Sequence, residues 1–263
     1  MDFSVPTGNL GFVLMVPDDT RVTSVDFFDQ LKTSFKNTFI TDGRWQLFLA
    51  GVLRTLLIIV VSIIAGTLLG FGVYLLIYKG NKAATKITDF FMWLIRGMPG
   101  VVLLMILFYI VFATAKIEGM WVSAIAFTLV FAEGFLAMLR NAVNVINSGQ
   151  TEAALALGYT QRKTFTKVIL PQAIAIIVPS YKAEIVSLIK ASAVVGYIAV
   201  QDLTKVSDIV RSLTFESFFP LIATAILYFV IAALLNLIVN LIWKRMDPRS
   251  RSQKRILKGA QIR

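Results

Sequence analysis

The chain has 263 residues, 57% of them hydrophobic and 16% charged, with a formal charge of +11 from 26 Lys and Arg against 15 Asp and Glu. Soluble domains average about 25% charged, so this balance, with a mean hydropathy of +0.76, excludes an ordinary soluble enzyme. The absence of Cys and His removes disulfides, thiolate nucleophiles, zinc–thiolate sites and the commonest general base, which excludes most catalytic constellations.

The first ten residues, MDFSVPTGNL, lack the basic start and apolar core of a signal peptide, so the apolar mass is expected to belong to the mature protein. Residues 25–40 place Phe27, Phe28, Leu31, Phe35 and Phe39 at helical spacing with Asp29, Gln30, Lys32 and Lys36 between them. That spacing predicts an amphipathic helix lying on the outer membrane face, acting as a brace. An uncharged run of ~18 or more residues can cross the ~30 Å hydrocarbon layer as a helix that satisfies its own backbone. Residues 55–78, 97–115 and 217–243 qualify outright. Residues 119–139 qualify if Glu133 is tolerated, and 168–201 if Lys182, Glu184 and Lys190 are; both are expected to face protein or water. The prediction is an all-α membrane protein of about five spans, with its termini on opposite sides. Residues 202–216 (DLTKVSDIVRSLTFE) fall between the last two spans, and two roles are open for them: meeting an external partner or capping the bundle. The organisation is an external segment 1–46, a transmembrane domain 47–243 that includes a cytoplasmic segment 148–171, and a basic tail 244–263, with no internal repeat.

Basic residues set the orientation, because loops rich in Lys and Arg stay in the cytoplasm. The 79–88 loop, the 140–167 segment and the tail hold 15 Lys and Arg, whereas the opposite side holds seven. The N-terminus is therefore expected outside and the C-terminus in the cytoplasm. Placed this way, the surplus charge is a topology signal, and a nucleic-acid partner loses its motive. The tail's natural contact is anionic membrane lipid.

Between the third and fourth spans stands GQTEAALALG at 149–158, continuing YTQRKTFTKVILPQA to 173. Thr151 is placed to N-cap a short helix with Glu152 in its first turn, Gly158 to end it, and Pro171 to set where the next helix begins. The small Ala153 and Ala154 permit close approach by another surface. The result is a compact helix–turn–helix on the cytoplasmic face.

The string EAALALGYTQRKTFTKVILP resembles the EAA signature of the membrane subunits of ABC importers, with Val168 in the Ile place. The GQ before it, Arg140 nine residues ahead of Gly149, LPQA at 170–173, RGMP at 96–99 and the Lys190-x-Ser192 pattern are similar to the polar amino acid uptake permeases, over roughly residues 45–245. The resemblance implies a type I importer-like permease whose short helix docks on a cytoplasmic ATPase dimer. Coupling then falls to Glu152, Ala153, Ala154 and Gly158, with Leu170 and Pro171 as the exit. It also implies a second permease subunit, identical or related, and an external solute-binding protein. The chain itself would bind no cofactor, ATP and Mg being used by the partner; it has no Gly-x-x-x-x-Gly-Lys-Ser/Thr phosphate loop. There are departures. The family's acidic residue three positions before the Arg is Ala137 here, with Glu133 one turn earlier. Its Asn-Glu pair is Ala183-Glu184, and the residues after Lys190 and Ser192 are Ala193 and Val194.

Glu133 would cost ~2.5 kcal/mol or more to insert alone, so it needs a partner or water. Either it faces the translocation pathway and holds a cationic part of the substrate, or it pairs with Lys182, Lys190 or Arg140. Arg140 either binds a substrate carboxylate or snorkels and pins the coupling segment, and Lys190 either lines the pathway or pairs with an acid. Glu184 and Ser192 complete the candidate pathway set. Arg96 marks a helix break, as a gate or, preferably, an interfacial anchor. Two rival functions remain: an ion-coupled secondary transporter, which would normally carry internal repeats, and a non-transporting receptor or assembly subunit.

Overall fold

The computed structural model describes residues 24–78 and 80–246, all of them helices and turns. Helix α1 (Ser24–Phe35) continues through a widened π turn (Lys36–Ile40). The predicted helical spacing is realised, and two of its aromatic residues dock on the bundle: the Phe35 ring meets Phe219 edge-on at 5.8 Å, and Phe39 meets Phe48 at 5.5 Å.

Helix α2 (Trp45–Tyr78) has 34 residues, a length of ~51 Å at 1.5 Å per residue. It starts ahead of the predicted run at 55 because Arg54 does not interrupt it. The Arg54 Nη1 donates to Gln201 Oε1 at 3.0 Å and to the Gln201 carbonyl at 3.3 Å, so the charge is met at the helix flank. Helix α5 (Gly119–Asn144) lies along α2. The close approach follows from a small-residue stripe, Ser62, Gly66 and Gly70, one turn apart on α2. A Cβ at Gly70 would stand 2.7 Å from the Ala132 carbonyl oxygen, and one at Gly66 would stand 2.9 Å from the Phe131 Cβ. Ser62 Oγ donates to the Ala124 carbonyl at 3.2 Å. In lipid, where apolar burial between helices gives little drive, such close contacts and cross-helix hydrogen bonds hold the pair.

The second predicted span, residues 97–115, is corrected by the structure. Helix α3 (Lys82–Gly97) and helix α4 (Gly100–Ile106, prolonged by a π turn at Leu107–Val111) are bent by 107°. Pro99 lacks an N–H and drives Met98 into extended backbone at φ −120° and ψ 146°, which ends α3. The portion Gly100–Val111 rises only ~18 Å, short of the ~30 Å layer. Four helices among the described residues are long and apolar enough to cross, or five with the bent pair taken as one broken span.

Helix α6 (Ser148–Ala156) leads to a short α7 (Gln161–Thr164), a π turn (Phe165–Ile169) and α8 (Leu170–Ser192). The last three form one rod, Gln161–Ser192, so the predicted stretch 168–201 starts earlier and ends sooner. Pro171 does not open this rod. Thr160 does, its Oγ1 accepting from Lys163 N at 3.4 Å. A proline ring crowds the carbonyl four residues back, and the widened turn just before Pro171 accommodates it. Beyond Ser192 the chain makes a 3-10 turn (Val195–Ile198) and reverses at Ala199, φ 60°.

Helix α9 (Leu203–Thr214) buries Leu203, Val206, Ser207 and Val210, and a Cβ at Gly51 of α2 would stand 3.1 Å from the Leu203 Cα. The buried face of α9 packs on α2 and α10, so this segment is part of the bundle. Helix α10 (Phe218–Met246) closes the bundle against α8 and α9. One core layer centres on Ile59, Phe127, Phe131 and Ile185, the other on Tyr74, Leu139, Phe165 and Ala173.

Candidate functional site

The segment that carries the EAA-like string forms α6, but Asn147 caps it, not Thr151. The Asn147 Oδ1 accepts from Gly149 N at 2.8 Å, so the helix starts at Ser148 and Glu152 lies past its first turn. An Asx side chain two residues before a free N–H reaches it without strain, which places the cap ahead of Thr151. At the other end Gly158 adopts φ +83°. Tyr159 N donates to the Ala154 carbonyl at 3.1 Å and Gly158 N to Leu155 at 2.9 Å, a Schellman closure that a left-handed glycine makes possible. Only Ala154 of α6 is buried; Glu152, Ala153 and Gly158 are exposed, with Leu155, Tyr159 and the 80%-exposed Leu157. Leu170 is half-buried against the second core layer, and Pro171 is exposed.

The membrane-level charges meet in a different arrangement from any of the pairings expected for them. Glu133, whose side chain is 12% exposed, pairs with Arg96. Arg96 Nε donates to Glu133 Oε1 at 2.9 Å, and Arg140 pairs with Asp89 at 2.6 Å. Lys182 and Lys190 take no part in either bridge. The two bridges tie α3 to α5 and frame a cavity of about 390 Å³ lined by Asp89, Trp93, Arg96 and Arg140. Asp89 and Arg96 are two turns apart on α3, as are Glu133 and Arg140 on α5. Reading the two charge pairs against each other is the signal that sequence reasoning missed.

Glu184 reaches the same region from α8. A Cβ on Gly134 would stand 2.8 Å from its Oε1, so Gly134 leaves the space that the carboxylate fills beside Glu133. Lys190 and Ser192 lie elsewhere. Lys190 is exposed and lines a cavity of about 410 Å³ between α8 and α10 with Tyr228. Ser192 is buried, its Oγ donating to the Ile189 carbonyl at 2.8 Å. The structure thus brings together Glu133, Glu184 and Arg140 with Arg96, and leaves Lys190 and Ser192 apart.

A further polar cluster had no herald beyond the capping position of its acid. Asp202 is fully buried at the start of α9. It accepts from Lys205 N at 2.9 Å and from the Tyr228 hydroxyl at 3.2 Å. Tyr228 also bonds Thr204 at 2.8 Å, while Thr55 Oγ1 accepts from Leu203 N at 3.1 Å. Burial pushes the Asp202 carboxyl above its ordinary value, against these hydrogen bonds, which lower it. Among the described residues no group of three or more His, Cys, Asp or Glu is placed to hold a metal.

Long apolar helices held by small-residue packing, with one short, largely exposed helix beside them, give a multi-pass helical membrane architecture. Residues 62–252 match the family described as "Binding-protein-dependent transport system inner membrane component", and the chain belongs to that family. It is 32% identical over 221 residues to a putative glutamine transport system permease protein GlnP of Rickettsia bellii (strain RML369-C), covering 82% of this chain and 96% of that one. To the arginine transport system permease protein ArtQ of Bacillus subtilis (strain 168) it is 31% identical over 200 residues, covering 75% and 91%. Among solved structures it superposes on an amino acid ABC transporter crystallised with histidines, at TM-score 0.69 and 27% identity over 84% of this chain and 99% of that one. It shares its fold with the MetNI methionine ABC transporter in an inward-facing form, at TM-score 0.65 and 22% identity over 78% and 99%. This is a multi-pass inner-membrane permease subunit of an ABC importer, a transport component that works with ATPase and solute-binding partners.

Proposed function

We propose that the chain, with a second permease subunit, lines the translocation pathway for a polar amino acid or similar small zwitterion, with the N-terminus outside and the C-terminus in the cytoplasm. The observation that carries the proposal is α6, a helix closed at both ends and anchored by Ala154, which leaves Leu155, Leu157 and Tyr159 bare. Apolar side chains held in water by a rigid support mark a partner surface. Glu152, Ala153, Ala154 and Gly158 form the coupling element for an ATPase dimer that uses ATP and Mg, and the Leu170-Pro171 rod carries its motion to α8. Residues 1–46 serve as the external segment, 47–243 as the transmembrane domain and 244–263 as the cytoplasmic tail. Glu133, Glu184, Arg140, Lys190 and Ser192 are the pathway candidates. Relatives named for glutamine and arginine support the amino acid class.

The test is reconstitution with the ATPase and a solute-binding protein in vesicles. Leu157→Glu, at a site 80% exposed, should leave insertion intact and lower ATP-driven amino acid uptake at least about tenfold, the equivalent of about 1.4 kcal/mol of lost docking. Wild-type uptake by that variant would overturn the coupling role.

A further inference from the structure

Helices α2, α5, α8 and α10 enclose a second cavity, of about 400 Å³, away from the bridged charges. Phe71, Leu139, Ile174, Val178 and Trp243 line it. Its two hydroxyls are turned on each other: Tyr181 lies 2.8 Å from Thr67, which donates to the Ile63 carbonyl at 2.7 Å. Apart from these hydroxyls and the Trp243 indole N–H the wall is apolar, so a hydrocarbon chain meets little penalty there. All four walls belong to helices long and apolar enough to cross a membrane, and α10, which contributes Val239, Ile242 and Trp243, buries only 6% of its most apolar window.

Two cations adjoin the lining residues along the chain at one end of the cavity. On the α8 rod the lining residues Leu170, Ile174, Val178 and Tyr181 follow a helical stripe, and three residues before Leu170 stands Lys167, exposed. On α10 the lining residues Ile242 and Trp243 are followed within a turn by Arg245, also exposed. An apolar slot with basic side chains at one end matches the two halves of an anionic phospholipid. We propose that this cavity holds one acyl chain of such a lipid, with its phosphate on Lys167 and Arg245.

The test uses purified full-length protein in nanodiscs containing phosphatidylglycerol with a diazirine at mid-chain, with adducts located by peptide mass spectrometry. Adducts should concentrate on the α8 and α10 residues that line the cavity and be competed by unlabelled phosphatidylglycerol better than by phosphatidylcholine. Lys167→Gln and Arg245→Gln should each lower that labelling about fivefold, and Ile174→Trp, which fills the slot, should abolish it. Labelling spread evenly over the lipid-facing helices, equal competition by the zwitterionic lipid, or absence of adducts because a second copy covers the opening would each overturn the site. The readout is independent of transport, so its failure leaves the importer function untouched.

Discussion

Arg96 on α3 and Glu133 on α5 are joined through Nε and Oε1 at 2.9 Å, two helical turns from the matching bridge between Asp89 and Arg140. The acid and base change places between the helices, so antiparallel α3 and α5 satisfy both pairs only in one register. Helix α3 has no fully buried residue, so these bridges, with the packing of half-buried Met92 on the second core layer, hold it below the break at Pro99.

Removing Arg96 leaves a largely buried carboxylate without its counter-charge. Arg96→Ala should cost about 1–2 kcal/mol, below the range for fully buried pairs because the guanidinium is mostly exposed and water screens it. Adding Glu133→Gln should recover part of that loss. Thermal unfolding of the single and double variants in one detergent measures the coupling, and strictly additive losses would contradict the bridge.

Two glycines should answer alanine differently. At Gly70 the new Cβ meets a backbone carbonyl that cannot move aside, and overpacking of this kind costs about 1–3 kcal/mol. At Gly134 it meets the flexible end of Glu184, so the protein should keep its melting temperature while that carboxylate shifts. Comparing the two unfolding curves decides the matter; equal destabilisation would place Glu184 in a rigid seat.

Asn147→Ala should fray α6, at about 1 kcal/mol for a lost cap, whereas Thr151→Ala should not. Amide hydrogen exchange at the start of the helix reports the difference. Faster exchange in the Thr151 variant alone would return the cap to that residue.

Asp202 sits outside the membrane-crossing helices, and burial raises its carboxyl in the folded state. Between the unfolded and folded values the folded protein binds more protons, so stability falls as pH rises through that window and is greatest below it. Exchange in α9, corrected for intrinsic rates, should therefore slow from neutral toward mildly acidic pH. Asp202→Asn keeps the cap and should flatten the dependence. Slower exchange at the higher pH in the wild type would refute the assignment.

Hydropathy made the long helices legible, because a backbone in lipid has no other solution. It placed their ends less well. Arg54 and Pro171 look like boundaries in one dimension, yet one is met by Gln201 and the other by a widened turn. The EAA-like string gave α6 and its glycine stop, since local chemistry decides both, but it gave the wrong cap because Asn147 lies just outside the motif. In sequence, the cations that offer themselves to Glu133 are Lys182, Lys190 and Arg140. The actual partner, Arg96, sits beside a break that puts α3 alongside α5, and that geometry is set by the fold. The Ser62, Gly66 and Gly70 stripe was readable as small residues every fourth position.

Little of α10 is buried within this chain, and packing of interchangeable apolar side chains sets its height and rotation only loosely. The hydroxyl of Tyr228 removes that freedom. Its bonds to Thr204 and Asp202 act as a depth gauge, setting height and rotation of the helix from a single point ten residues past its start at Phe218. An error of one residue there would be carried along the rest of the helix, so the far end, where Trp243 and Arg245 lie, inherits its position from a contact at Tyr228, about four turns back.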